Sequence, residues 1–260
     1  MIKETTKFES SCLFEGMTSI RAVIAGIDSG VSDRRIERIL FDKARMPKIA
    51  KEMGYFKAVS QKYGFELVEA TADELDKITL GSSHGGICAY CSERTNKPLD
   101  TEYKNLSGSF FAMIEGIEDP YNFGYCLRSL YACGCDGIIV PMRNWFSASG
   151  VVCRSSAGAS ERFNIYMSET LDCIRLFKSQ GFQAVCADMR TDKLLGSTPL
   201  PRPILLVVGG EKRGISRATL DECDILVKIP YAREFSASLS AASATTMFAY
   251  EIMRQSGVNG

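Results

Sequence analysis

Short apolar runs that alternate with helical segments are the feature that most limits how this chain can fold. Beyond residue 108 such runs recur, and between them lie stretches of helical composition, of which Thr170–Ser179 is the clearest. The runs cover residues 109–114, 137–141, 182–187, 204–208 and 224–229. Strands that alternate with helices form parallel sheets whose two faces are covered by those helices. We therefore predict an α/β fold with a parallel sheet over residues 108–260.

The region before residue 95 is predicted to be a smaller α/β unit. Strands are predicted at Ile20–Ile27, Phe65–Ala70 and Gly86–Cys91. Helices are predicted at Asp33–Arg45, where apolar residues recur with helical spacing, and at Asp73–Ile78.

A polar stretch, Ser92–Ser107, marks the boundary between the two regions. We predict an N-terminal domain over 1–94, with 1–15 as an extension, a linker over 95–107 and a second domain over 108–260. Several cations cluster on or near the predicted helix in the first domain, and a solvated helix face is favoured over a nucleic-acid patch. These cations are Arg34, Arg35, Arg38, Lys43 and Arg45.

Charge and composition narrow the function classes. The 31 Lys and Arg residues balance 31 Asp and Glu residues, so any contact with nucleic acid must come from a local patch. The N-terminus lacks the apolar run of a signal peptide, and no stretch approaches the roughly 20 apolar residues of a membrane span. Ten cysteines without a secretory signal favour reduced thiols in a cytoplasmic protein. The single histidine, His84, excludes a histidine-rich metal site.

Two cysteine pairs raise the alternative of a zinc site. Cys88 and Cys91 form a CxxC, and Cys133 and Cys135 form a CxC. The first pair lies in a strand-like run, where alternate residues face opposite ways. We therefore favour buried, inert thiols and predict no metal.

The first stretch with chemical content is Gly116–Gly137. It follows the apolar run Phe110–Ile114 and opens with Asp119-Pro120, a helix-start signal. A helix entered at Pro120 places Gly124 and Arg128 one turn apart on one face, with Asn122 close by. Turns at the carboxyl ends of strands are where open α/β sheets bind ligands.

The second stretch is Ile204–Ser216, in which an apolar strand runs into Gly209, Gly210 and Glu211. Glycines there let backbone amides approach a ligand closely. Ile215 and Ser216 stand where a P-loop requires Lys and Ser or Thr, so a phosphate cradle is not favoured. A plain glycine turn between strand and helix remains the alternative.

The third stretch is Val227–Gln255. A strand ends at Ile229-Pro230, and a serine-rich turn over Ser236–Ser240 supplies candidate helix N-caps. A helix of small residues follows from about Leu239 to Arg254, and its alanines and serines permit close packing.

Together these stretches resemble the SpoU (TrmH-like) family of RNA ribose 2′-O-methyltransferases, in the SPOUT superfamily. They are similar, in order, to that family's DPxNxGxxxR, GxExxG and IP…SLN motifs. The matching residues are Asp119, Pro120, Asn122, Gly124, Arg128, Gly209, Glu211, Gly214, Ile229, Pro230, Ser238 and Leu239. Ser155–Glu161 resembles the family's SAGA-like stretch. His84–Ile87 resembles the segment that closes its small RNA-binding domain, which has a ribosomal-protein (L30e-like) fold.

The resemblance implies a deep trefoil knot in the second domain, one of the rare knotted folds. It implies S-adenosylmethionine in the knot, without a metal, and a homodimer in which the partner's arginine of the first motif completes the site. The implied cofactor-binding residues are Gly209, Gly210, Glu211, Gly214, Ile229, Pro230, Ser238 and Leu239.

The resemblance also implies roles for individual residues in methylation of a ribosomal or transfer RNA. Arg128 would hold the 2′-hydroxyl and a phosphate, and Asn122 would orient Arg128 or the ribose. Glu211 would organise the knot loop, and Ser238 would hydrogen-bond near the substrate. His84 would be structural or a substrate contact. A plain surface salt bridge is the alternative for Arg128.

One residue departs from the family pattern. Ser240 stands where the family has Asn, and serine lacks the amide's paired donor and acceptor. A working enzyme is favoured because the other motif residues are present. A non-catalytic RNA-binding or ribosome-assembly relative and a methyltransferase with a different substrate are the alternatives.

Overall fold

The structure, a computed structural model, describes residues 12–80, 82–99, 109–141, 148–210 and 214–257. Its contacts divide the chain into two compact units. The first comprises the described parts of residues 1–95 and 144–162, and the second comprises those of residues 96–143 and 163–260.

The first unit is built on a four-stranded sheet in the order β1-β4-β2-β3. Its strands are β1 (Leu13–Glu15), β2 (Ile36–Asp42), β3 (Glu66–Ala70) and β4 (Ile87–Cys91). Strands β2 and β3 are parallel, whereas β4 runs antiparallel to both β1 and β2. Its helices are α1 (Gly16–Asp28), α2 (Met46–Tyr63), α3 (Ala72–Ile78) and α5 (Ser149–Ser155).

Two predictions for this unit are wrong, and each has a physical reason. Ile20–Ile27 is helical, and its buried Ile20, Val23 and Ile24 follow the spacing of one helix face. Asp33–Arg45 contains strand β2, which pairs with a neighbour on each side. Strand pairing along both edges outweighs the weak helical stripe. The cations from Arg34 to Arg45 therefore do not share a helix face.

The other predictions for this unit agree with the structure. Strands β3 and β4 and helix α3 lie where Phe65–Ala70, Gly86–Cys91 and Asp73–Ile78 were predicted. Helix α2 was not predicted, although Pro47 in its first turn and Gly64 at its end are sequence signals for a helix. Gly64 has φ 74°, the left-handed conformation that glycine supplies at helix ends.

The second unit contains a seven-stranded sheet in the order β11-β9-β10-β6-β7-β8-β5. Every neighbouring pair is parallel, which confirms the predicted parallel sheet. Its strands are β5 (Lys97–Pro98), β6 (Phe110–Ile114), β7 (Gly137–Val140), β8 (Asn164–Met167), β9 (Gln183–Ala187), β10 (Ile204–Val208) and β11 (Ile225–Val227). All were predicted except β5 and β8.

Four helices accompany this sheet: α4 (Pro120–Ala132), α6 (Thr170–Ser179), α7 (Arg217–Glu222) and α8 (Ala241–Gln255). On one face, Phe111 packs edge-on or tilted against Phe177 of α6 and against Phe182, with ring centroids 5.2 and 5.8 Å away. Helices α4 and α8 pack against each other, and Ser129 and Thr246 share a hydroxyl hydrogen bond of 2.6 Å. No helix in the described ranges is long and apolar enough to cross a membrane.

Residues 148–162 group with the first unit, although the predicted boundaries placed them in the second domain. The reason is a buried ion pair: Arg34 Nε donates to Glu161 Oε2 at 2.9 Å, and both side chains are at most 5% exposed. Arg34 also donates to the carbonyl of Ser92 at 2.8 Å. An ion pair this deeply buried requires the segment that carries Glu161 to stay against strand β2.

Candidate active site

A cavity of about 590 Å³ lies at the carboxyl ends of β9, β10 and β11. These strands are neighbours in the sheet, so the segments that leave them meet at one edge. Residues from those segments and from helices α7 and α8 line the cavity. They include Ala187, Asp188, Met189, Arg190, Val208, Gly209, Gly210, Gly214, Ile215, Leu220, Lys228, Ile229, Tyr231, Ser238, Leu239, Ala241, Ala244, Thr245 and Phe248.

The glycine loop after β10 leaves no room for a side chain at Gly209 or Gly210. A Cβ added to Gly209 would lie 2.5 Å from Ile215 Cγ1 and 2.8 Å from the carbonyl carbon of Gly214. A Cβ added to Gly210 would lie 2.1 Å from the carbonyl oxygen of Gly116. The Gly214 amide donates to the Gly210 carbonyl at 2.9 Å and closes the loop. Glu211, which the motif also singles out, lies outside the described residues.

The turn before α8 forms another wall. Ser240 is the N-cap of α8, and its Oγ accepts a hydrogen bond from the Ser243 amide at 3.1 Å. The hydroxyl of Tyr231 accepts a hydrogen bond from the Leu239 amide at 3.2 Å, which ties the turn to the chain leaving β11. Ser238 and Leu239 therefore line the cavity in a defined position, directly before the first turn of α8.

A charged pair lies on the wall after β9. Asp188 Oδ1 and Oδ2 accept hydrogen bonds of 3.0 Å from Arg190 Nε and Nη2, and Oδ1 also accepts one from the Arg190 amide. The hydrogen bond from Arg190 lowers the pKa of Asp188. Neither these two residues nor Lys228 was predicted. Their signal was positional: Asp188 and Arg190 come directly after the strand predicted over 182–187, and Lys228 lies near the end of the strand predicted over 224–229.

The first motif shapes the start of α4. The carboxylate of Asp119 accepts hydrogen bonds from the Tyr121 and Asn122 amides at 3.3 and 3.1 Å, and Pro120 lies in the first turn. This confirms the predicted helix start. Asn122 is half-buried and Arg128 is exposed, and neither lines the cavity.

The structure thus brings together Gly209, Gly210, Gly214, Ile229, Ser238 and Leu239 of the predicted set around one cavity. Pro230 is exposed and does not line it. The first motif reaches the second through the backbone, because Gly116 lies against Gly210.

His84 belongs to the first unit, where it is 4% exposed. Its Nδ1 accepts a hydrogen bond from the Gly86 amide at 3.0 Å, which leaves Nε2 as the donor to Asp76 Oδ1 at 2.9 Å. Both ring nitrogens thus hold the turn before β4 in place.

All ten cysteines are free thiols. Cys88, Cys91, Cys133 and Cys135 are buried, as the interpretation of inert thiols requires. Burial raises the pKa of Cys88 to about 12, and it raises the pKa of Cys91 and Cys135 further. Within the part of the chain that the structure describes, no three His, Cys, Asp or Glu side chains are grouped so that they could hold a metal ion.

Comparison with known proteins places these features in context. The family model described as the SpoU rRNA Methylase family matches residues 109–250. The 23S rRNA (guanosine-2′-O-)-methyltransferase RlmB of Blochmanniella floridana is 32% identical over 204 residues, which span 75% of this chain and 79% of that protein.

Solved structures show the same fold. A crystal structure of an RNA 2′-O ribose methyltransferase superposes with a TM-score of 0.76 at 23% identity, covering 94% of this chain and 88% of that one. The SpoU methyltransferase AviRb of Streptomyces viridochromogenes, in complex with the cofactor AdoMet, superposes with a TM-score of 0.75 at 22% identity, covering 98% of both chains.

Proposed function

The chain belongs to the SpoU rRNA methylase family, and on that premise we propose that it transfers a methyl group from S-adenosylmethionine to a ribose 2′-hydroxyl of ribosomal RNA. The resemblance seen in the motifs is confirmed, and so is the prediction of an RNA methyltransferase. The observation that carries the proposal is the cavity at the ends of β9, β10 and β11, whose walls come from the second and third motifs.

The cavity suits S-adenosylmethionine on three counts. Its volume of about 590 Å³ is in the range of small-molecule sites. Gly209 and Gly210 leave backbone groups bare at its wall, where any Cβ would clash. Helix α8 begins at Ala241, which lines the cavity, and the N-terminus of a helix offers a partial positive charge to a carboxylate. A related structure, that of AviRb, is a complex with AdoMet.

We assign cofactor binding to Gly209, Gly210, Glu211, Gly214, Ile229, Pro230, Ser238 and Leu239. The cofactor supplies an electrophilic methyl group, and transfer to an oxygen needs no metal. The protein must hold the ribose in line and stabilise the negative charge that develops on O2′ as its proton leaves.

Arg128 is the group we assign to that charge. Its guanidinium can hold O2′ and a neighbouring phosphate with two parallel hydrogen bonds. Asn122, one and a half turns earlier on α4, would orient the ribose or the arginine, and Ser238 and Glu211 would act on the substrate side of the cavity. Arg128 does not line the cavity of its own chain, so a second subunit would have to present it.

A homodimer formed through α4 and α8 would do so. Both helices expose large side chains: Tyr121 and Tyr125 on α4 are 48% and 47% exposed, and Met247 and Tyr250 on α8 are 41% and 55% exposed. Aromatic residues and methionine are enriched at interfaces. The hydrogen bond between Ser129 and Thr246 keeps the two helices side by side. This face would place the partner's Arg128 at the site.

Three hydrogen bonds between the loop that joins β9 and β10 and the C-terminal part of the chain support the proposed trefoil knot. The Leu195 amide donates to the Lys228 carbonyl, and the Lys228 amide donates to the Lys193 carbonyl, both at 2.9 Å. Farther along, Gln255 Nε2 donates to the Thr198 carbonyl at 3.0 Å. The loop between β9 and β10 therefore contacts the chain before and after the segment that lines the cavity, an arrangement compatible with the proposed knot.

Ser240 has a structural role that an asparagine could also fill. Serine and asparagine are both strong N-caps, and the Ser240 Oγ caps α8. The substitution therefore gives no structural reason for loss of activity, and the enzyme is favoured over a non-catalytic RNA-binding protein.

We further propose that the first unit is an L30e-like domain that binds the RNA substrate, and that the protein acts in the cytoplasm.

The test has two stages. Isothermal titration calorimetry of the purified protein should show S-adenosylmethionine binding, and labelled cofactor should methylate ribosomal RNA from a strain that lacks the protein. Mass mapping of that RNA should reveal one missing ribose methyl. Arg128→Ala should lower kcat by at least about tenfold, ~1.4 kcal/mol, while cofactor affinity stays unchanged. Cofactor binding without methylation of any RNA would refute the proposed reaction.

A further inference from the structure

Phe235 is an exposed aromatic ring beside the cavity. It lies in the segment between β11 and α8 and is 60% exposed, the largest exposed fraction among the large apolar side chains of the described residues. A phenylalanine left in water forgoes the stabilisation that burial provides. The proposed motifs do not include it.

Its position is defined by contacts with the cavity wall. The ring centroid of Phe235 lies 6.1 Å from that of Tyr231, with the ring planes tilted by 55°. Tyr231 lines the cavity, and its hydroxyl accepts the hydrogen bond from the amide of Leu239, which also lines it. Phe235 therefore contacts, through its ring, a residue of the cavity proposed as the site of methyl transfer.

The surroundings favour stacking over charge recognition. Arg233 and Glu234, which directly precede Phe235, carry opposite charges and are both exposed. Their opposite charges offset each other, so the segment presents an exposed ring and no net charge. Exposed aromatic rings bind nucleic acid by stacking on bases, and every base has a face that can stack.

We propose that Phe235 stacks on the base of the nucleotide whose ribose enters the cavity, or on the base next to it. This inference rests on the proposed function, since it assumes an RNA whose 2′-hydroxyl is held at the cavity. A base is bonded to the same ribose, and Phe235 lies next to Tyr231 of the cavity wall, so the ring is positioned to meet a base held close to the cavity. Stacking would fix the ribose against the cavity without reading the sequence of the RNA.

The experiment compares Phe235→Leu, which keeps an apolar side chain without a π face, with Phe235→Trp, which keeps the π face. An in-vitro transcript of 23S ribosomal RNA is the probe, and its affinity is measured by filter binding without cofactor. We expect the leucine variant to bind about tenfold more weakly and the tryptophan variant to bind as the wild type does. Cofactor affinity and Tm serve as controls and should not change.

A direct signal comes from Phe235→Trp in a Trp145→Phe background, since the chain has one native tryptophan. A base stacked on the indole should quench its fluorescence when the transcript is added. Equal RNA affinity of the leucine and tryptophan variants would overturn the inference. So would dissociation of a homodimer by Phe235→Leu, because the ring would then belong to the subunit interface. If the wild type methylates no RNA, the proposed function fails, whereas the difference between the two variants tests the stacking itself.

Discussion

Gly210→Ala tests the backbone contact that shapes the cavity. The new Cβ would lie 2.1 Å from the carbonyl oxygen of Gly116 and 2.5 Å from its carbonyl carbon. Non-bonded carbon atoms pack at about 3.5–4 Å, so one of the two loops must move by at least about 1 Å. Neither clashing atom belongs to a flexible side chain, so the strain cannot be relieved by a rotamer change.

The expected magnitude follows from that clash. Overpacking costs about 1–3 kcal/mol, and a clash between two backbone segments belongs at the upper end. For a chain of this size a loss of 1 kcal/mol lowers Tm by about 2–4 °C, so ~3 kcal/mol predicts a decrease of about 6–12 °C. Because Gly210 lines the cavity, we also expect cofactor affinity to fall by at least about tenfold.

The assay is differential scanning calorimetry for Tm and isothermal titration calorimetry for S-adenosylmethionine. Gly54→Ala is the matched control: Gly54 lies within helix α2, and a Cβ there would meet nothing within 4 Å. That substitution should stabilise the protein by about 0.4–1 kcal/mol and leave cofactor affinity unchanged. If Gly210→Ala retained the wild-type Tm and affinity, the steric account of the glycine loop would be refuted.

Three further predictions concern charges and thiols. Arg34→Met leaves the buried Glu161 carboxylate without its ion pair and should lower the free energy of unfolding by about 3–5 kcal/mol. Arg175→Met, the control in an exposed ion pair, should lower it by less than about 1 kcal/mol. Equal losses of the two variants in urea denaturation would contradict this. The pKa of Asp188 is lowered in the folded state, so its contribution to stability is present above its unfolded pKa of about 4 and is lost as pH falls through the folded pKa. The acid-induced loss of stability should therefore be smaller in Asp188→Asn than in the wild type. Identical acid transitions of the two proteins would refute this role of Asp188. Burial raises the pKa of six thiols, those of Cys88, Cys91, Cys133, Cys135, Cys153 and Cys173. At pH 8, native protein should therefore react rapidly with a thiol reagent only at its half-buried cysteines, Cys12 and Cys223, and at all ten cysteines in denaturant. Rapid reaction of all ten in native protein would show that the burial is not maintained in solution.

Apolar strands bounded by turns were predicted well in the second unit because they are buried on both faces. Phe110–Ile114 and Ile204–Val208 are buried throughout, and such continuous apolar runs are typical of central parallel strands. Strand β8 was not predicted because three of its four residues are exposed or half-buried and it lacks an unbroken apolar run.

The first unit shows where apolar periodicity fails. Ile20–Ile27 is a short run of mostly apolar residues, interrupted by Arg21, and such a run does not by itself distinguish a strand from a buried helix. Asp33–Arg45 carries many charges with a helical stripe, yet its strand β2 is held by pairing with β3 and β4. Those partners lie far along the chain, so local sequence does not report them.

In the candidate site, too, some features follow from the local sequence and others depend on contacts between distant parts of the chain. The glycine loop and the serine turn could be predicted from adjacent residues, because steric demand and helix capping act over a few positions. The presence of Asp188, Arg190 and Lys228 beside them depends on the arrangement of the strands. In the sheet, β9 lies between β10 and β11, and this order brings the segments that leave the three strands to one cavity. Neighbours in a parallel sheet are set by crossover connections and not by adjacency in sequence, so the local sequence does not reveal this order.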